Sequence, residues 1–141
     1  AAPAATTATP DGAVALDAEL AGDFAGLPEE LCALLDRAEI TQGLEVVWRR
    51  VRRLNRYVEE RAPWVLAKDP DRAGELDGVL ASLAEGLRAV SVLLHPYLPN
   101  STERLLAALG APDYTLDAAR FGAGTGAPRA VGALEPLFPK L

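Results

Sequence analysis

Two long segments of this sequence repeat large apolar residues at alternating intervals of four and three, and this periodicity constrains the fold more than any other feature. The first segment, from Ile40 to Arg61, carries Ile40, Leu44, Val47, Val51, Leu54 and Val58. The second carries Leu76, Leu80, Leu83, Leu87, Val90 and Leu94. Each pattern predicts a helix that turns one apolar stripe toward a core. No strand-like alternation of useful length occurs, so the predicted fold class is all-α.

Proline and glycine residues predict where these helices begin and end. The first long helix is expected to end at Ala62, because Pro63 disfavours helical geometry in the residue before it. Asp69 followed by Pro70 is typical of an N-cap and a first-turn proline, and it predicts the start of the next helix. A shorter helix is predicted from Asn100, three residues before a glutamate in a capping-box arrangement, to Gly110.

An earlier helical region carries large apolar residues from Leu16 to Leu35. Pro28 interrupts it and either opens a second helix or kinks a single long one. The prediction is therefore a bundle of about four helices with an irregular C-terminal tail. We divide the chain into a flexible linker over 1–13, a helical domain over 14–110 and an irregular tail over 111–141, where Leu134, Leu137 and Phe138 offer apolar side chains for docking.

Composition excludes several classes of protein. The chain has 141 residues, about the size of one domain, and half of them are hydrophobic. No apolar run approaches the ~20 residues of a membrane span, and no signal peptide is recognisable, so we predict a cytoplasmic protein. Cys32 and His95 are the single residues of their types. They cannot supply a disulfide or a zinc tetrad, so Cys32 is interpreted as a core residue and His95 as a partner of the last carbonyl groups of a helix.

Chemistry-bearing motifs are few. The sequence has no nucleophile–base constellation, no phosphate-binding loop of the GxxxxGK[ST] type and no metal-ligand spacing. The segment GAGTG at 122–126 follows no predicted strand and opens no predicted helix, which favours a flexible turn over a phosphate site.

Positive charge is concentrated in one part of an acidic chain. The overall charge is −6, yet the segment 40–68 holds seven basic and three acidic residues and so carries +4. Four arginines share one face of the first long helix, where they could hold a polyanion through bidentate phosphate contacts: Arg49, Arg52, Arg53 and Arg56. The alternative is a solvated face whose arginines pair with acidic neighbours.

Trp64 lies in the proline-restrained turn directly after this basic helix. It is a candidate platform on which an unpaired base could stack, and the alternative is a side chain that merely fills the helix corner. Trp48 and Tyr57 lie within the helix beside predicted core positions, so both are interpreted as packing residues.

The stretch from Leu54 to Asp69, LNRYVEERAPWVLAKD, resembles the signature of the anticodon-binding helical domain of bacterial methionyl-tRNA synthetases, a pattern close to N-R-Y-[IV]-x-[ED]-x-x-P-W-x-[LV]-x-K. Three later segments, EGLR at 85–88, LLHPYLP at 93–99 and LFPK at 137–140, are similar to successive landmarks of that family in the same order. The resemblance spans roughly residues 40–141.

This resemblance implies a partner, methionine tRNA with its CAU anticodon, and a site. Trp64 takes the role of the family's tryptophan that contacts the first anticodon base, with Pro63 fixing its turn. Asn55 and the four arginines complete the candidate tRNA-binding set. The family also uses an Asn and an Arg on a preceding helix with a Leu-Gly-Asn type sequence, which residues 1–13 do not match.

The family's nucleotide-binding motifs, H-x-G-H-like and K-M-S-K-S-like, do not occur in this sequence. The chain alone is therefore not expected to activate methionine, no cofactor is expected within it, and ATP and Mg are expected only in a separate catalytic domain of the same synthetase. The alternative function is a stand-alone descendant of this domain that serves as a protein-interaction or scaffolding module.

Overall fold

A computed structural model describes residues 10–124 and 131–140, with side chains from residue 16 onward. Its α-helices are α1 (Pro10–Phe24), α2 (Leu27–Asp36), α3 (Ile40–Arg61), α4 (Pro63–Leu66), α5 (Ala73–Leu94) and α6 (Pro99–Ala108). Short 3-10 turns lie at Pro70–Arg72 and Asp117–Ala119, and the described residues include no strand. The prediction of an all-α bundle with an irregular C-terminal tail is confirmed, with the first helical segment divided into α1 and α2 and with α4 a single turn.

The break between α1 and α2 lies at Gly26, whose φ of +70° is open to glycine at little steric cost. Pro28 is in the first turn of α2, so it opens a second helix and does not kink a single one. Phe24 and Leu27 on either side of the break are both buried and tie the turn to the core. Residues 1–9 of the predicted linker lie outside the described residues, and α1 begins four residues before the predicted domain boundary.

Helix α3 is the centre of the bundle and packs against α1, α2 and α5. It approaches α5 closely where Leu54 lies over Gly86, since a Cβ atom at Gly86 would come within 2.4 Å of Leu54 Cδ2. The core-facing residues of α3 are Gly43, Val46, Val47, Leu54, Tyr57 and Arg61. Those of α5 include Val79, Gly86, Ala89, Val90 and Leu93.

The predicted core stripes were therefore partly wrong. Ile40 and Leu44 are exposed on α3, and Leu80 and Leu87 are exposed on α5. The buried residues of α3 fit the same four–three spacing displaced by three positions, and Val47 and Leu54 are common to both stripes. In α5 the predicted Val90 and Leu94 are buried, and every residue from Arg88 to Leu94 is buried. The inner face of α3 includes Gly43, the ring of Tyr57 and the aliphatic part of Arg61. The predicted stripes consist of large aliphatic residues, and none of these three is one.

Helix ends agree with the predictions in three cases of four. Helix α3 ends at Arg61, and the Asp69 carboxylate accepts a hydrogen bond from the Asp71 N–H at 3.0 Å as an N-cap. The predicted cap at Asn100 is wrong, because α6 begins at Pro99 and its N-cap, Leu98, makes no side-chain cap hydrogen bond. Gly110, with φ +68°, follows the end of α6 as expected.

The segment after α6 is held to α5 by a buried ion pair. Glu85 and Arg88 form two hydrogen bonds of 2.6 and 2.9 Å. Arg88 also donates to the carbonyl groups of Ala118 and Arg120, while Glu85 accepts the N–H groups of Gly122 and Gly124 at 2.8 and 3.0 Å. Desolvation opposes ionisation of Glu85, but the Arg88 guanidinium and the two N–H groups outweigh it and lower the pKa of this carboxyl.

These contacts show what the first residues of the glycine-rich segment bind. The N–H groups of Gly122 and Gly124 both donate to one carboxylate oxygen of Glu85. Converging N–H groups of this kind can bind an anion, and here the anion is a side chain of the protein itself. Residues 125–130 lie outside the described part of the chain. Further along, Leu134 and Phe138 are exposed and Leu137 is half-buried, so only one of the three apolar side chains named for docking is partly covered.

Across the residues described, none of the helices combines the length and the apolar character that a membrane crossing requires.

The α3–α5 contact can be tested with two matched glycine substitutions in α5. A methyl group at Gly78 meets open space, whereas one at Gly86 must displace Leu54. Gly78→Ala is expected to stabilise the protein by about 0.5–1 kcal/mol through helix propensity. Gly86→Ala is expected to be less stable than Gly78→Ala by about 1–3 kcal/mol, because overpacking adds its own cost. Urea unfolding of both variants measures the difference, and equal stabilities would show that the two helices do not approach closely here.

Candidate nucleic-acid interface

The four predicted arginines are brought together along a shallow groove between α1 and α3. The groove has a volume of about 540 Å³. Its lining consists of Gly22, Asp23, Arg49, Arg50, Arg52, Arg53 and Arg56. We call this surface the arginine groove. Five guanidinium groups line it, and the carboxylates of Asp23, Glu30, Glu45 and Glu60 lie against them.

Two arginines of the groove are held by acidic and carbonyl groups of neighbouring elements. Arg53 bonds Asp23 of α1 at 2.6 Å and Glu60 of its own helix at 3.2 Å, and its side chain is only 15% exposed. These carboxylates raise the pKa of Arg53 despite the opposing effect of desolvation. Arg50 donates to the Asp23 carbonyl at 2.9 Å and pairs with Glu30 of α2 at 3.2 Å. Both arginines thus join α3 to the first two helices.

The other three arginines keep accessible guanidinium groups. Arg49 is 3.8 Å from Glu30, too far for a hydrogen bond. Arg52 pairs with Glu45, and Arg56 pairs with Glu60 at 2.8 Å while its side chain remains 74% exposed. Exposed ion pairs of this kind contribute little stability, so their carboxylates can be exchanged for phosphates at small cost.

Trp64 projects from a turn anchored on both sides. Ala62 is buried and adopts φ +44° and ψ +62°, a left-handed conformation that is uncommon for residues other than glycine. Its carbonyl accepts the Val65 N–H at 2.8 Å and starts α4, and Leu66 is fully buried at the other end of that turn. Trp64 itself is 52% exposed, so about half of this residue is accessible to solvent.

Asn55 and Pro63 differ in their placement. Asn55 is exposed on α3 but does not line the arginine groove, and Pro63 is half-buried at the first position of α4. Trp64 likewise lies outside the groove lining, just beyond the C-terminal end of α3. From Arg49 to Arg61 the helix rises about 18 Å, so the groove and the tryptophan turn occupy successive parts of one helix.

The sequence predicts packing roles for both Trp48 and Tyr57, and the structure confirms this for one of them. Tyr57 is fully buried, as predicted, but Trp48 is 46% exposed and the interpretation of Trp48 as a packing residue was wrong. With Ile40 and Leu44, four residues apart, Trp48 forms an exposed apolar strip on α3. Periodicity could not show this, because the strip lies beside the true core face and has the same spacing.

His95 and Cys32 have structural surroundings. The His95 ring stacks on Tyr114 with centroids 4.4 Å apart, and its Nδ1 lies 2.9 Å from the Thr102 hydroxyl oxygen. Its partners are therefore side chains, and the prediction of helix carbonyls was wrong. Cys32 is half-buried in α2.

Sequence reasoning missed a buried group of polar residues beneath the tryptophan turn. Arg61 is 3% exposed, donates to Glu75 at 3.1 Å, and places its Nε 3.5 Å from Asp17. Tyr57 donates its hydroxyl to the same Asp17. Burial, reinforced by this carboxylate, raises the pKa of Tyr57. A charged residue at a core position of the four–three pattern was the signal that could have revealed this group.

Fold and surface together define an all-helical bundle that carries an arginine groove and an exposed tryptophan turn on one central helix. Comparison with curated proteins relates this bundle to one enzyme family. The chain is 34% identical to the methionine–tRNA ligase of Caldanaerobacter subterraneus over 131 residues, which is 89% of the chain and 20% of that protein. It is 40% identical to the enzymes of Bacillus subtilis and Deinococcus radiodurans, over 76% and 81% of the chain.

The chain thus belongs to the methionine–tRNA ligase family as a homologue of one segment of these enzymes, and the resemblance to methionyl-tRNA synthetases drawn from the sequence is confirmed. It spans only about a sixth to a fifth of the length of these curated relatives. No protein-family profile matches it.

Arg53 and Arg49 are expected to differ in their effect on stability. Arg53→Gln removes contacts to Asp23 and Glu60 from a mostly buried side chain, and it should lower the free energy of unfolding by about 1–2 kcal/mol. Arg49→Gln should stay within about 0.5 kcal/mol of the parent, since its side chain is exposed. Urea unfolding at low and high salt measures both, and equal effects would mean that Arg53 has no structural role.

Proposed function

We propose that this chain is the anticodon-binding part of a methionine–tRNA ligase and that it recognises the CAU anticodon of methionine tRNA. The observation that carries the proposal is Trp64, half-exposed on a turn held between buried Ala62 and Leu66. An indole fixed in this way loses little conformational freedom when a base stacks on it, and such stacking contributes about 1–3 kcal/mol. Homology to the ligases supports the choice of ligand.

In this proposal the arginine groove supplies affinity and the tryptophan turn supplies contact with a base. Arg49, Arg52 and Arg56 hold backbone phosphates, which position the RNA without reading its sequence. Arg53 acts mainly by holding α3 against α1 and contacts RNA less. Asn55, exposed on α3 six residues before the helix end, offers an amide to an anticodon base.

Methionine activation is assigned to a separate catalytic domain, where ATP and Mg bind, and this chain contributes tRNA positioning in the cytoplasm. A contact with that domain is supported by the exposed apolar strip of Ile40, Leu44 and Trp48, because contiguous apolar surface commonly marks a protein interface. The same strip favours the second candidate function, a stand-alone module that binds proteins and not tRNA. Binding of an anticodon stem-loop separates the two functions.

Trp64→Ala is expected to weaken binding of a CAU anticodon stem-loop by about 1–3 kcal/mol, because the stacked base loses its platform. Trp48→Ala is the matched control, since it removes an indole of similar exposure from the same bundle and should leave affinity unchanged. Fluorescence titration with labelled RNA measures both.

The stacking partner can be identified with a second RNA. A stem-loop that is abasic at the first anticodon position should bind the parent as weakly as the intact loop binds Trp64→Ala, and the two changes together should add nothing further. If the intact loop binds Trp64→Ala as tightly as the parent, the proposed function fails.

The arginine groove predicts a change in salt dependence. Replacing Arg49 and Arg52 together by Gln should reduce the slope of log affinity against log salt by about 1.4–1.8, which corresponds to two phosphate contacts on single-stranded or duplex RNA. The loss should be the same for CAU and unrelated anticodons. Arg37→Gln, an exposed arginine paired with Glu39 outside the groove, is the control. If the double variant and this control show the same slope, Arg49 and Arg52 do not contact phosphates and only face solvent.

A further inference from the structure

Arg61 is the most deeply buried charged side chain next to the tryptophan turn. It occupies the last position of α3, two residues before Pro63, and its side chain is 3% exposed. Its guanidinium reaches Glu75 of α5 at 3.1 Å and lies 3.5 Å from a carboxylate oxygen of Asp17 in α1. The end of α3 is therefore connected to two other helices through one side chain.

The two carboxylates of this cluster each have a further partner. Asp17 also accepts the Tyr57 hydroxyl, and Glu75 also binds Arg72 of the preceding 3-10 turn at 2.8 Å. The cluster thus joins the segments on both sides of Trp64: α3 before it, and the 3-10 turn that leads into α5 after it. Loss of Arg61 leaves neither carboxylate without a hydrogen-bond donor.

The contribution of Arg61 to the stability of the fold is a weak explanation for an arginine at this position. Among the residues that the structure describes, its Nε–H has no hydrogen-bond partner, and an unsatisfied buried donor is unfavourable. Buried ion pairs in general stabilise a fold no more than apolar side chains of similar volume. What such a pair specifies is geometry, because its charges tolerate only arrangements in which they remain matched.

The backbone conformation at the end of α3 determines the direction in which Trp64 projects. Ala62 holds an uncommon left-handed conformation that persists only where the surrounding structure enforces it. Leu66 fixes the far side of the turn by burial, and Arg61 is the corresponding anchor on the near side. If the end of α3 shifts or frays, Ala62 is free to leave its conformation and Trp64 loses its direction.

We infer that Arg61, through Asp17 and Glu75, is a positioning residue that fixes the direction of Trp64 for base stacking. This inference rests on the proposed function for its RNA-binding consequence, but the restriction of Trp64 is a property of the free protein. Arg61 itself is buried and touches no RNA.

The first experiment observes Trp64 directly. In a Trp48→Phe background Trp64 is the single tryptophan of the chain, so time-resolved fluorescence anisotropy reports its local motion. Arg61→Met should increase the amplitude of fast indole rotation. Leu106→Ala is the control, because it removes a fully buried side chain of α6, away from the turn, and destabilises the bundle without touching the cluster. All variants are measured at a temperature at which unfolding curves show each to be fully folded.

The second experiment measures affinity for the CAU stem-loop. Arg61→Met should weaken binding about tenfold, equivalent to ~1.4 kcal/mol, when Trp64 is present. In a Trp64→Ala background it should weaken binding no further, because there is no indole left to position. Leu106→Ala should leave affinity unchanged under the same folded conditions.

Unchanged indole motion in Arg61→Met would overturn the inference, as would an equal loss of affinity with and without Trp64. A failure of the proposed function gives a different result. In that case Trp64→Ala alone leaves stem-loop affinity unaltered, while the anisotropy measurement still decides whether Arg61 restricts Trp64.

Discussion

The close approach of α3 and α5 at Leu54 and Gly86 determines the arrangement of the rest of the bundle. With no side chain at Gly86, the Leu54 methyl groups lie almost on the backbone of α5. That contact sets the rotation of α3 about its own axis. Tyr57 and Arg61 then face inward with Leu54, the arginines face α1 and α2, and Trp48 is left on the outside. The placement of the arginine groove follows from this rotation, whereas the exposure of Trp64 depends on the turn at Ala62 beyond the end of α3.

The arginines of the arginine groove fall into two groups, those neutralised by carboxylates of neighbouring helices and those whose charge remains accessible to solvent. Asp23 and Glu30, contributed by α1 and α2, neutralise the arginines nearest to those helices. The charge that remains accessible belongs to Arg49, Arg52 and Arg56, whose partners are solvent-exposed or shared. A chain with an overall charge of −6 can therefore still attract a polyanion, because the attraction is local and screened beyond about one Debye length.

The Glu85–Arg88 pair shows how a largely irregular segment, with one 3-10 turn at Asp117–Ala119, is ordered by side-chain contacts. The segment after Gly110 lacks the periodicity needed to bury an apolar face, so its backbone groups need partners from elsewhere. Arg88 satisfies two of its carbonyls and Glu85 two of its N–H groups. Since the pKa of Glu85 is lowered in the folded protein, this carboxylate adds stability above its unfolded pKa, and that stability is lost as the pH falls through the folded value.

The amino-acid sequence by itself determined the helical class, the end of α3 before Pro63, the cap at Asp69 and the concentration of positive charge between residues 40 and 68. These are local properties, decided by backbone restriction and by side chains a few positions apart. It also carried the motif around Pro63 and Trp64 that relates the chain to methionine–tRNA ligases. Which flank of α3 faces the core could not be obtained this way, because two stripes of equal spacing compete in that helix and share Val47 and Leu54. In α5 the burial of every residue from Arg88 to Leu94 removes the one-sided pattern on which a periodicity argument depends. Only the tertiary structure decided between the two stripes of α3, because its packing against α1, α2 and α5 buries Tyr57 and Arg61 and leaves Ile40 and Leu44 exposed. The same packing brought Asp17 and Glu75, 58 residues apart in the sequence, to opposite sides of Arg61, and it separated Arg53 from the accessible arginines. Such contacts depend on long-range helix packing and leave no mark in local spacing.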